Sequence, residues 1–419
     1  MKRTIWILNH YAGNMYFDKG GRHYSFAKYL KINGYNPIVF CCNRKHGNEE
    51  NYIKENKRWI ACIEPEINVP FIFVKGRPYH NNKERVFNML DFYRNVKRAA
   101  KAYASKYGRP DMIYASSVHP LTLVAGLQLA KQYKVKCICE VRDLWPETIV
   151  SYSKHFKKSN LLIQLLYLGE RWIYQKADAL IFTMSGGKKY IKEKGWNVKG
   201  KKKIDINKVY HINNGIDLSD FDEKAKTYKF SDADLENGSI YKIVYTGSVR
   251  RVNNLGIILD CAKRITEKRI KFLIWGDGDE IDTLKERVKT ENISNVDFKG
   301  RIEKQYIPSV IKQADLTLLH WEMSPILRFG VSYNKLFEYL AAGKPIFSTV
   351  CPNFSIINKY KCGRETTGFS PEEIASGIME IFNDSKENQE RMSSNARQAA
   401  MDFDFKNMTN KLIDIIESM

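Results

Sequence analysis

Ser332-Tyr333-Asn334-Lys335-Leu336-Phe337-Glu338-Tyr339-Leu340-Ala341-Ala342-Gly343-Lys344-Pro345 reads as a short helix marked at both ends. Ser332 suits the N-cap, Leu336 to Ala342 are mostly strong helix formers, Gly343 suits a left-handed C-terminal position, and Pro345 stops the helix before an Ile346-Phe347 strand. The first turn carries Asn334 and Lys335. A cation at a helix N-terminus opposes the macrodipole by roughly 0.3 to 1 kcal/mol unless an anion is present. The arrangement suits a bound phosphate, met by backbone N–H groups, the dipole and Lys335 together. Glu338, one turn from Asn334 and Lys335, reaches hydroxyls attached to that phosphate. The alternative is a packing helix whose Glu338 is merely solvated.

Outward from this stretch, short β-rich runs alternate with helical ones. Strands are expected at Ile5-Leu8, Pro37-Cys42, Phe71-Val74, Met112-Ala115, Lys136-Val141 and Ala179-Thr183 in the first half. In the second half they are expected at Val209-Ile212, Lys242-Thr246, Lys271-Trp275, Val296-Phe298, Leu316-Leu319 and Pro345-Ser348. Such alternation indicates parallel sheets, and about six strands per half indicates two doubly wound α/β domains. The expected boundaries are 1–203 and 204–399, with a helix over about 400–419 packing back on the first domain, and the basic run Lys199-Gly200-Lys201-Lys202-Lys203 as the hinge. Ligands of doubly wound sheets bind beyond the carboxyl ends of the strands, so a site is expected in a cleft that the two domains face. No internal repeat or low-complexity tract interrupts this pattern.

Several motifs fall at strand ends. Asn9-His10-Tyr11-Ala12-Gly13 and Lys19-Gly20-Gly21-Arg22-His23 follow the first strand, and the glycine pair lets backbone approach a substrate. Ser116-Ser117-Val118-His119-Pro120 follows Met112-Ala115, and Glu140-Val141-Arg142-Asp143-Leu144-Trp145-Pro146-Glu147 ends another strand. In the second half come Tyr245-Thr246-Gly247-Ser248-Val249-Arg250-Arg251, then Gly276-Asp277-Gly278-Asp279, then Phe298-Lys299-Gly300-Arg301-Ile302. Asp277-x-Asp279 has the look of a metal-binding pair, but its flanking glycines suit a tight turn, and no metal is expected.

Together these motifs resemble the donor-binding signature of the retaining glycosyltransferases of family 4, and most closely the bacterial enzymes that build O-antigen, capsule and exopolysaccharide. That resemblance implies the GT-B fold, α/β with two Rossmann-like doubly wound domains facing across a cleft, and metal-independent transfer from a nucleotide sugar, with no cofactor. It implies catalytic roles for His119, which would hydrogen-bond the transferring sugar, and for Arg250 and Lys335, which would stabilise the departing diphosphate. The implied donor-binding set is Gly20, Gly21, Arg251, Gly276, Asp277, Gly300, Arg301, Gly330, Ser332, Asn334, Leu336 and Glu338, with Gly300 and Arg301 bordering the nucleobase and Glu338 on the ribose. The implied acceptor-binding set is His23, Arg142, Asp143 and Glu147. His211-Ile212-Asn213-Asn214-Gly215-Ile216-Asp217 resembles the family's Asn-Gly-x-Asp turn and is expected to be structural.

The chain departs from the family pattern twice. Asn253-Asn254 stand where a lysine is usual, so Lys335 is the expected second cation. Gly330 stands where the first of two glutamates is usual, so backbone N–H groups around Gly330 to Ser332 are expected to meet the sugar hydroxyls. Two rivals share the architecture. A nucleotide-sugar 2-epimerase would isomerise the donor without an acceptor, and a non-enzymatic basic binding module would turn over nothing.

Charge adds a partner. The net +21 is concentrated in residues 1–200, which hold 35 Lys+Arg against 15 Asp+Glu, whereas residues 201–419 hold 33 against 32. Such asymmetry indicates that one half faces a polyanion. No helix-turn-helix, RRM, KH or zinc-finger signature appears, which disfavours nucleic acid. An anionic membrane surface and a lipid-linked or saccharide acceptor fit better. Two segments are candidate membrane faces: a helix over 83–107 with Val86, Leu90, Tyr93, Val96, Ala100 and Tyr103 at helical spacing, and the basic, then greasy run over 154–168. Both also suit plain covering helices. Met1-Lys2-Arg3 leads into a strand rather than a signal peptide, and no run approaches the ~18 apolar residues of a span. The eight scattered cysteines lack zinc-knuckle spacing and read as reduced thiols, so the expected location is cytoplasmic and peripheral on the membrane's cytoplasmic face.

Overall fold

The computed structural model describes all residues except 1–2, 45–50, 54–56, 118, 153–155, 199–202 and 367, and the side chain of residue 252. It comprises two compact units, Met1–Asn213 with Phe405–Met419, and Asn214–Asp404. Most of the basic run read as the hinge, residues 199–202, lies outside the described residues.

The first unit holds a sheet of β1 (Thr4–Leu8), β2 (Asn36–Cys42), β3 (Trp59–Glu64), β4 (Val69–Val74), β5 (Met112–Ser117), β6 (Lys136–Val141), β7 (Ala179–Phe182) and β8 (Val209–His211). Their spatial order is β3-β4-β2-β1-β5-β6-β7-β8. All pairings are parallel except β3 with β4. Parallel strands covered on both faces need apolar residues throughout, and Ile5-Trp6-Ile7-Leu8 is wholly buried, as is Pro37 to Cys42. The second unit holds β9 (Tyr241–Thr246), β10 (Ile270–Trp275), β11 (Val296–Gly300), β12 (Leu316–Leu319), β13 (Ile346–Ser348) and β14 (Gly363–Glu365), ordered β11-β10-β9-β12-β13-β14 and parallel throughout. Each unit is a doubly wound, Rossmann-like α/β domain.

The structure departs from the expected strands in three places. Val209–His211, expected to open the second domain, pairs with β7 and closes the first sheet, so the chain leaves the first unit ten residues later than expected. Two edge strands had no counterpart in the expected set. Strand β3 is half-exposed or exposed over Trp59 to Ile63 at the sheet's antiparallel border, and β14 is three residues long around Gly363 and Arg364. Neither carries the continuous apolar run of a strand buried on both faces.

The closing helix Phe405–Glu417 joins the first unit, where the Phe405 and Phe26 rings lie 5.9 Å apart and Arg3 Nη1 donates to the Ile416 carbonyl at 2.6 Å. The long helix expected over 83–107 spans Asn82–Tyr107 and is capped by Asn81, whose side chain accepts from the Glu84 N–H. Its buried stripe is Met89, Phe92, Val96, Ala100 and Tyr103, so it covers the sheet; Val86, expected to lead the stripe, is exposed. None of the cysteines is paired among the described residues.

Candidate functional site

In each sheet the strand order reverses between the first strand and its neighbour on the other side, which is where such folds leave a crevice for ligands. In the second unit that point lies between β9 and β12. Lys335, in the first turn of the helix Asn334–Ala342 that follows β12, reaches across to β9 and donates to Tyr245 Oη at 2.7 Å. Its ammonium also sits over the Tyr245 ring at 4.1 Å and near the Trp321 ring at 5.5 Å. Gly247, just beyond β9, has φ +148, and a Cβ there would lie 2.1 Å from Lys335 Nζ. Glycine suits that backbone angle, and its missing side chain leaves the space in which the lysine lies. Beyond β10 the same rule holds for Gly276, whose Cβ would meet the Gly247 carbonyl oxygen at 1.7 Å. Three strand ends thus present bare backbone, completed by Gly300, whose carbonyl accepts from the Gly276 N–H at 2.8 Å.

The expected cations and loops gather on this edge. Arg250 and Arg251 follow β9 and are exposed, as are Asp277 and Arg301 beyond β10 and β11. The Arg251 N–H donates to Asp279 Oδ1 at 3.2 Å, so that carboxylate braces the loop between the two strand ends, and Asp277 Oδ1 accepts from the Gly278 N–H. Burial pushes the Lys335 ammonium down to about 8, with the Glu338 charge opposing. Burial likewise pushes the Glu338 carboxyl up against the pull of Lys304 and Lys335, and its carboxylate makes no hydrogen bond among the described residues.

The helix start differs from expectation in a consequential way. Tyr333, not Ser332, occupies the N-cap position, and no side chain caps the helix. Ser332 instead accepts from the Asn214 N–H at 2.9 Å, while the Asn214 amide donates to the Ser332 carbonyl at 2.7 Å and to Asn334 Oδ1 at 3.0 Å. Asn214, expected to be structural, thereby holds the loop that carries Ser332 and Asn334. The hydroxyl that would have capped the first turn is used elsewhere, leaving that turn without a side-chain acceptor, as an anion site requires. Two other donor-set residues are corrected. Gly330 closes the 3-10 turn Pro325–Phe329 with φ 83, and its N–H is spent on the Leu327 carbonyl at 2.9 Å. Leu336 is buried in the core, and its N–H donates to the Tyr333 carbonyl at 3.2 Å.

Two features of this edge had no expectation. The Trp321 and Tyr333 rings stack at 3.7 Å and 14°, forming an aromatic wall beside Lys335. His320 is buried beyond β12 with Nδ1 on Thr349 Oγ1 at 2.8 Å and Nε2 on the Asn254 carbonyl at 3.1 Å. Asn254, at φ 49, thus serves the loop through its backbone where the family pattern has a lysine.

In the first unit the reversal lies between β1 and β5. His10 follows β1 and His119 follows β5, and His10 Nδ1 meets His119 Nε2 at 2.7 Å. Both rings are buried, with Phe92 4.5 Å from His10. His119 Nδ1 is buried without a hydrogen-bond partner among the described residues, so the protein leaves this ring nitrogen uncommitted. The partnership with His10 was invisible in the sequence because 109 residues separate the two.

Beneath lies a closed network. Arg22 Nε donates to Glu140 Oε1 at 2.7 Å, Nη1 to the Asn213 carbonyl at 2.6 Å, and Nη2 to the Ile212 carbonyl at 2.9 Å. Tyr114 and Ser116 also donate to Glu140. His23, expected to contact the acceptor, is fully buried here, with Nε2 on Glu140 Oε2 at 3.1 Å and Nδ1 on the Asn9 amide at 3.0 Å, and has no nitrogen left for a ligand. Glu147 is corrected likewise. It is buried against Lys194 at 2.8 Å, Lys158 at 3.1 Å and Tyr167 Oη at 2.6 Å; burial opposes its charge, yet those bonds pull its carboxyl down to about 2. Arg142, half-buried, and Asp143, exposed, remain open at the end of β6, and Gly20 and Gly21 stand before the helix Arg22–Ile32, Gly21 with φ 95.

The buried histidines set the acid response. Burial pushes His23 down to about 4 and His320 to about 4, and burial with the Arg85 charge pushes His119 to about 3. Unfolded imidazoles titrate near 6.5. The unfolded chain therefore takes up protons first, and stability should be full above about pH 7 and fall steadily between about pH 6.5 and 4. Burial opposes the Glu140 charge too, but Arg22 and His23 hold that carboxyl well below its usual range, so its share should be lost at still lower pH. Urea midpoints measured from pH 7 to pH 4 test this, and a flat profile would contradict it.

Two Rossmann-like domains, the second with a basic, glycine-ended edge at its strand-order reversal, have the architecture of the GT-B glycosyltransferases. The sequence comparisons agree. The family described as glycosyl transferases group 1 matches residues 229–399, and glycosyltransferase family 4 matches residues 23–220. The chain belongs to glycosyltransferase family 4. No curated protein matches it in sequence. Among solved structures it is similar to sucrose-phosphate synthase from Thermosynechococcus elongatus, at a TM-score of 0.70 and 16% identity over 100% of this chain and 99% of that one. It is also similar to HepE of Anabaena in complex with UDP, at 0.65 and 14% over 100% of both chains. A third is the trehalose 6-phosphate synthase of Burkholderia multivorans, at 0.68 and 12% over 100% of this chain and 99% of that one.

Proposed function

We propose that this glycosyltransferase moves a sugar from a nucleoside diphosphate sugar, UDP being the nucleotide, to a lipid-linked or saccharide acceptor in the building of a cell-surface polysaccharide such as lipopolysaccharide or capsule, with retention of anomeric configuration. The observation that carries the donor assignment is Lys335 held against Gly247 at the β9–β12 reversal, beside an uncapped helix start. The fold-mates HepE in complex with UDP and with UDP-glucose support the nucleotide. As the diphosphate departs it gathers negative charge, which Lys335, Arg250 or Arg251 and the helix N-terminus stabilise, so the reading assigns that neutralisation to the protein rather than to a metal ion or cofactor. The acceptor hydroxyl attacks the anomeric carbon from the face the diphosphate leaves, and its proton passes to a leaving phosphate oxygen, so no protein nucleophile takes part. His119 Nδ1 hydrogen-bonds the transferring sugar, and Arg142 and Asp143 shape the acceptor site. Glu338, unpaired and half-buried, takes the ribose hydroxyls. The basic first unit holds the enzyme on the cytoplasmic face of an anionic membrane.

Incubation with UDP-, GDP- and TDP-sugars plus a lipid-linked acceptor tests the reading. Released nucleoside diphosphate with a lengthened acceptor is expected; an isomerised donor, or no turnover, would overturn it. Glu338→Ala should weaken UDP binding about tenfold, the worth of one or two hydrogen bonds to a charged group, as read by calorimetry.

A further inference from the structure

The helix Leu161–Lys176 is the one place where the first unit exposes a continuous row of large apolar side chains among the described residues. Leu161 is 77% exposed, Leu162 56%, Leu165 55%, Leu168 60% and Trp172 41%. Residues 161, 165, 168 and 172 fall on one face of a helix, and the opposite face, Ile163, Tyr167, Glu170, Ile173 and Tyr174, is buried against the unit. Sequence left two candidate faces; the structure separates them, because the Asn82–Tyr107 helix turns its apolar stripe inward while this one turns five apolar residues outward. Soluble chains rarely leave such a stripe uncovered. At about 24 Å the helix is too short to cross a bilayer, and no described helix is long and apolar enough to do so.

We propose that this face is a membrane-docking surface and that its occupant is an anionic bilayer. Charge complementarity favours lipid over a second copy of the same chain. Lys157 precedes the stripe, Lys176 closes it, and residues 1–200 carry a balance of +20, which would repel a like partner and attract acidic headgroups. A helix with apolar residues along one face and lysines at its ends lies in the interfacial plane with its leucines among the acyl chains.

The docked helix is fastened to the candidate acceptor segment. Tyr167 Oη, on its buried face, donates to Glu147 Oε2 at 2.6 Å, and Lys158, just before the stripe, pairs with Glu147 Oε1 at 3.1 Å. Glu147 lies four residues beyond Asp143. Docking the helix therefore fixes the height of Arg142 and Asp143 above the lipid surface, which suits an acceptor whose diphosphate is presented at the headgroups. Glu147 thus acts as a strut between helix and acceptor segment, in place of the direct acceptor contact expected for it. The proposal depends on the transferase reading only for the lipid-linked acceptor; docking itself is measured without it.

Flotation with phosphatidylcholine vesicles and with vesicles containing phosphatidylglycerol, at low and high salt, tests the docking. Wild-type protein should float with the anionic vesicles at low salt, and a Leu165→Glu, Leu168→Glu variant should lose at least tenfold in partitioning with an unchanged melting profile. Both positions are exposed, so the variant is expected to fold, and circular dichroism checks that it has. Unchanged flotation of the variant would overturn the proposal. So would a wild-type dimer that the variant converts to a monomer without change in vesicle binding, since the face would then join two copies of the chain. Calorimetry with UDP on the same variant separates the two readings: retained affinity with lost flotation supports docking and leaves the donor site intact, whereas absent UDP binding in wild type overturns the transferase reading while docking stands or falls on flotation.

Discussion

Lys335→Ala should lower kcat by about 10²- to 10³-fold and weaken UDP binding by about tenfold or more, the usual scale for removing a positioned charge from a developing anion. The side chain is held by Tyr245 Oη at 2.7 Å and lies in the space that the bare backbone of Gly247 leaves. Lys335→Arg should therefore rescue poorly, because a guanidinium is wider than an ammonium and Gly247 leaves no room for it. The pH response follows from burial. With its ammonium pushed down to about 8, Lys335 is charged at neutral pH and loses its proton above about pH 8, so UDP affinity in wild type should decline there. Bound diphosphate favours the charged form and moves the decline upward. The alanine variant should show no such limb. Equal affinity of wild type and Lys335→Ala by calorimetry would move the anion site elsewhere.

Glu140→Ala should destabilise the first unit by about 3 to 5 kcal/mol, since it strands the Arg22 guanidinium in the core without its counter-charge. Tyr114, Ser116 and His23 lose their acceptor at the same stroke. Arg22 would keep only the Ile212 and Asn213 carbonyls, the point where the chain leaves the first unit. Glu140→Gln should fall between, because the amide oxygen still accepts hydrogen bonds but carries no charge. Urea unfolding followed separately for each unit reads the effect, with UDP affinity of the second unit as the control that should not move. A loss below about 1 kcal/mol would mean that water or a neighbouring group satisfies Arg22.

The candidate donor edge was largely legible in the sequence because its chemistry is local. Gly343 sits at φ 65 as the helix terminator, Lys335 lies in the first turn, and Gly276 and Gly300 end their strands, all as single-residue signals that need no knowledge of distant contacts. The acceptor side was legible only in part. His23 and Glu147 are charged or polar residues beside strand ends, which is where ligand-binding residues also stand. Nothing local distinguishes a carboxylate that meets substrate from one that meets Lys194 at 2.8 Å. Ser332 shows the same ambiguity within the best motif, since a good N-cap residue was diverted by Asn214, 118 residues away in sequence. The Trp321–Tyr333 stack joins residues twelve apart across an irregular loop that has no periodicity to read.

Sequence alone determined the alternation of strand and helix, the two doubly wound domains, the glycine-ended strands and the basic first half, because each follows from side-chain size, backbone freedom or charge within a few residues. Tertiary structure alone decided which polar groups are spent within the protein and which are left uncommitted. It joined His10 to His119, closed the Arg22–Glu140 network, assigned β8 to the first sheet, and turned the leucines of Leu161–Lys176 outward. Burial and hydrogen-bond partnership arise from residues brought together over a hundred positions apart, and no local pattern carries that information.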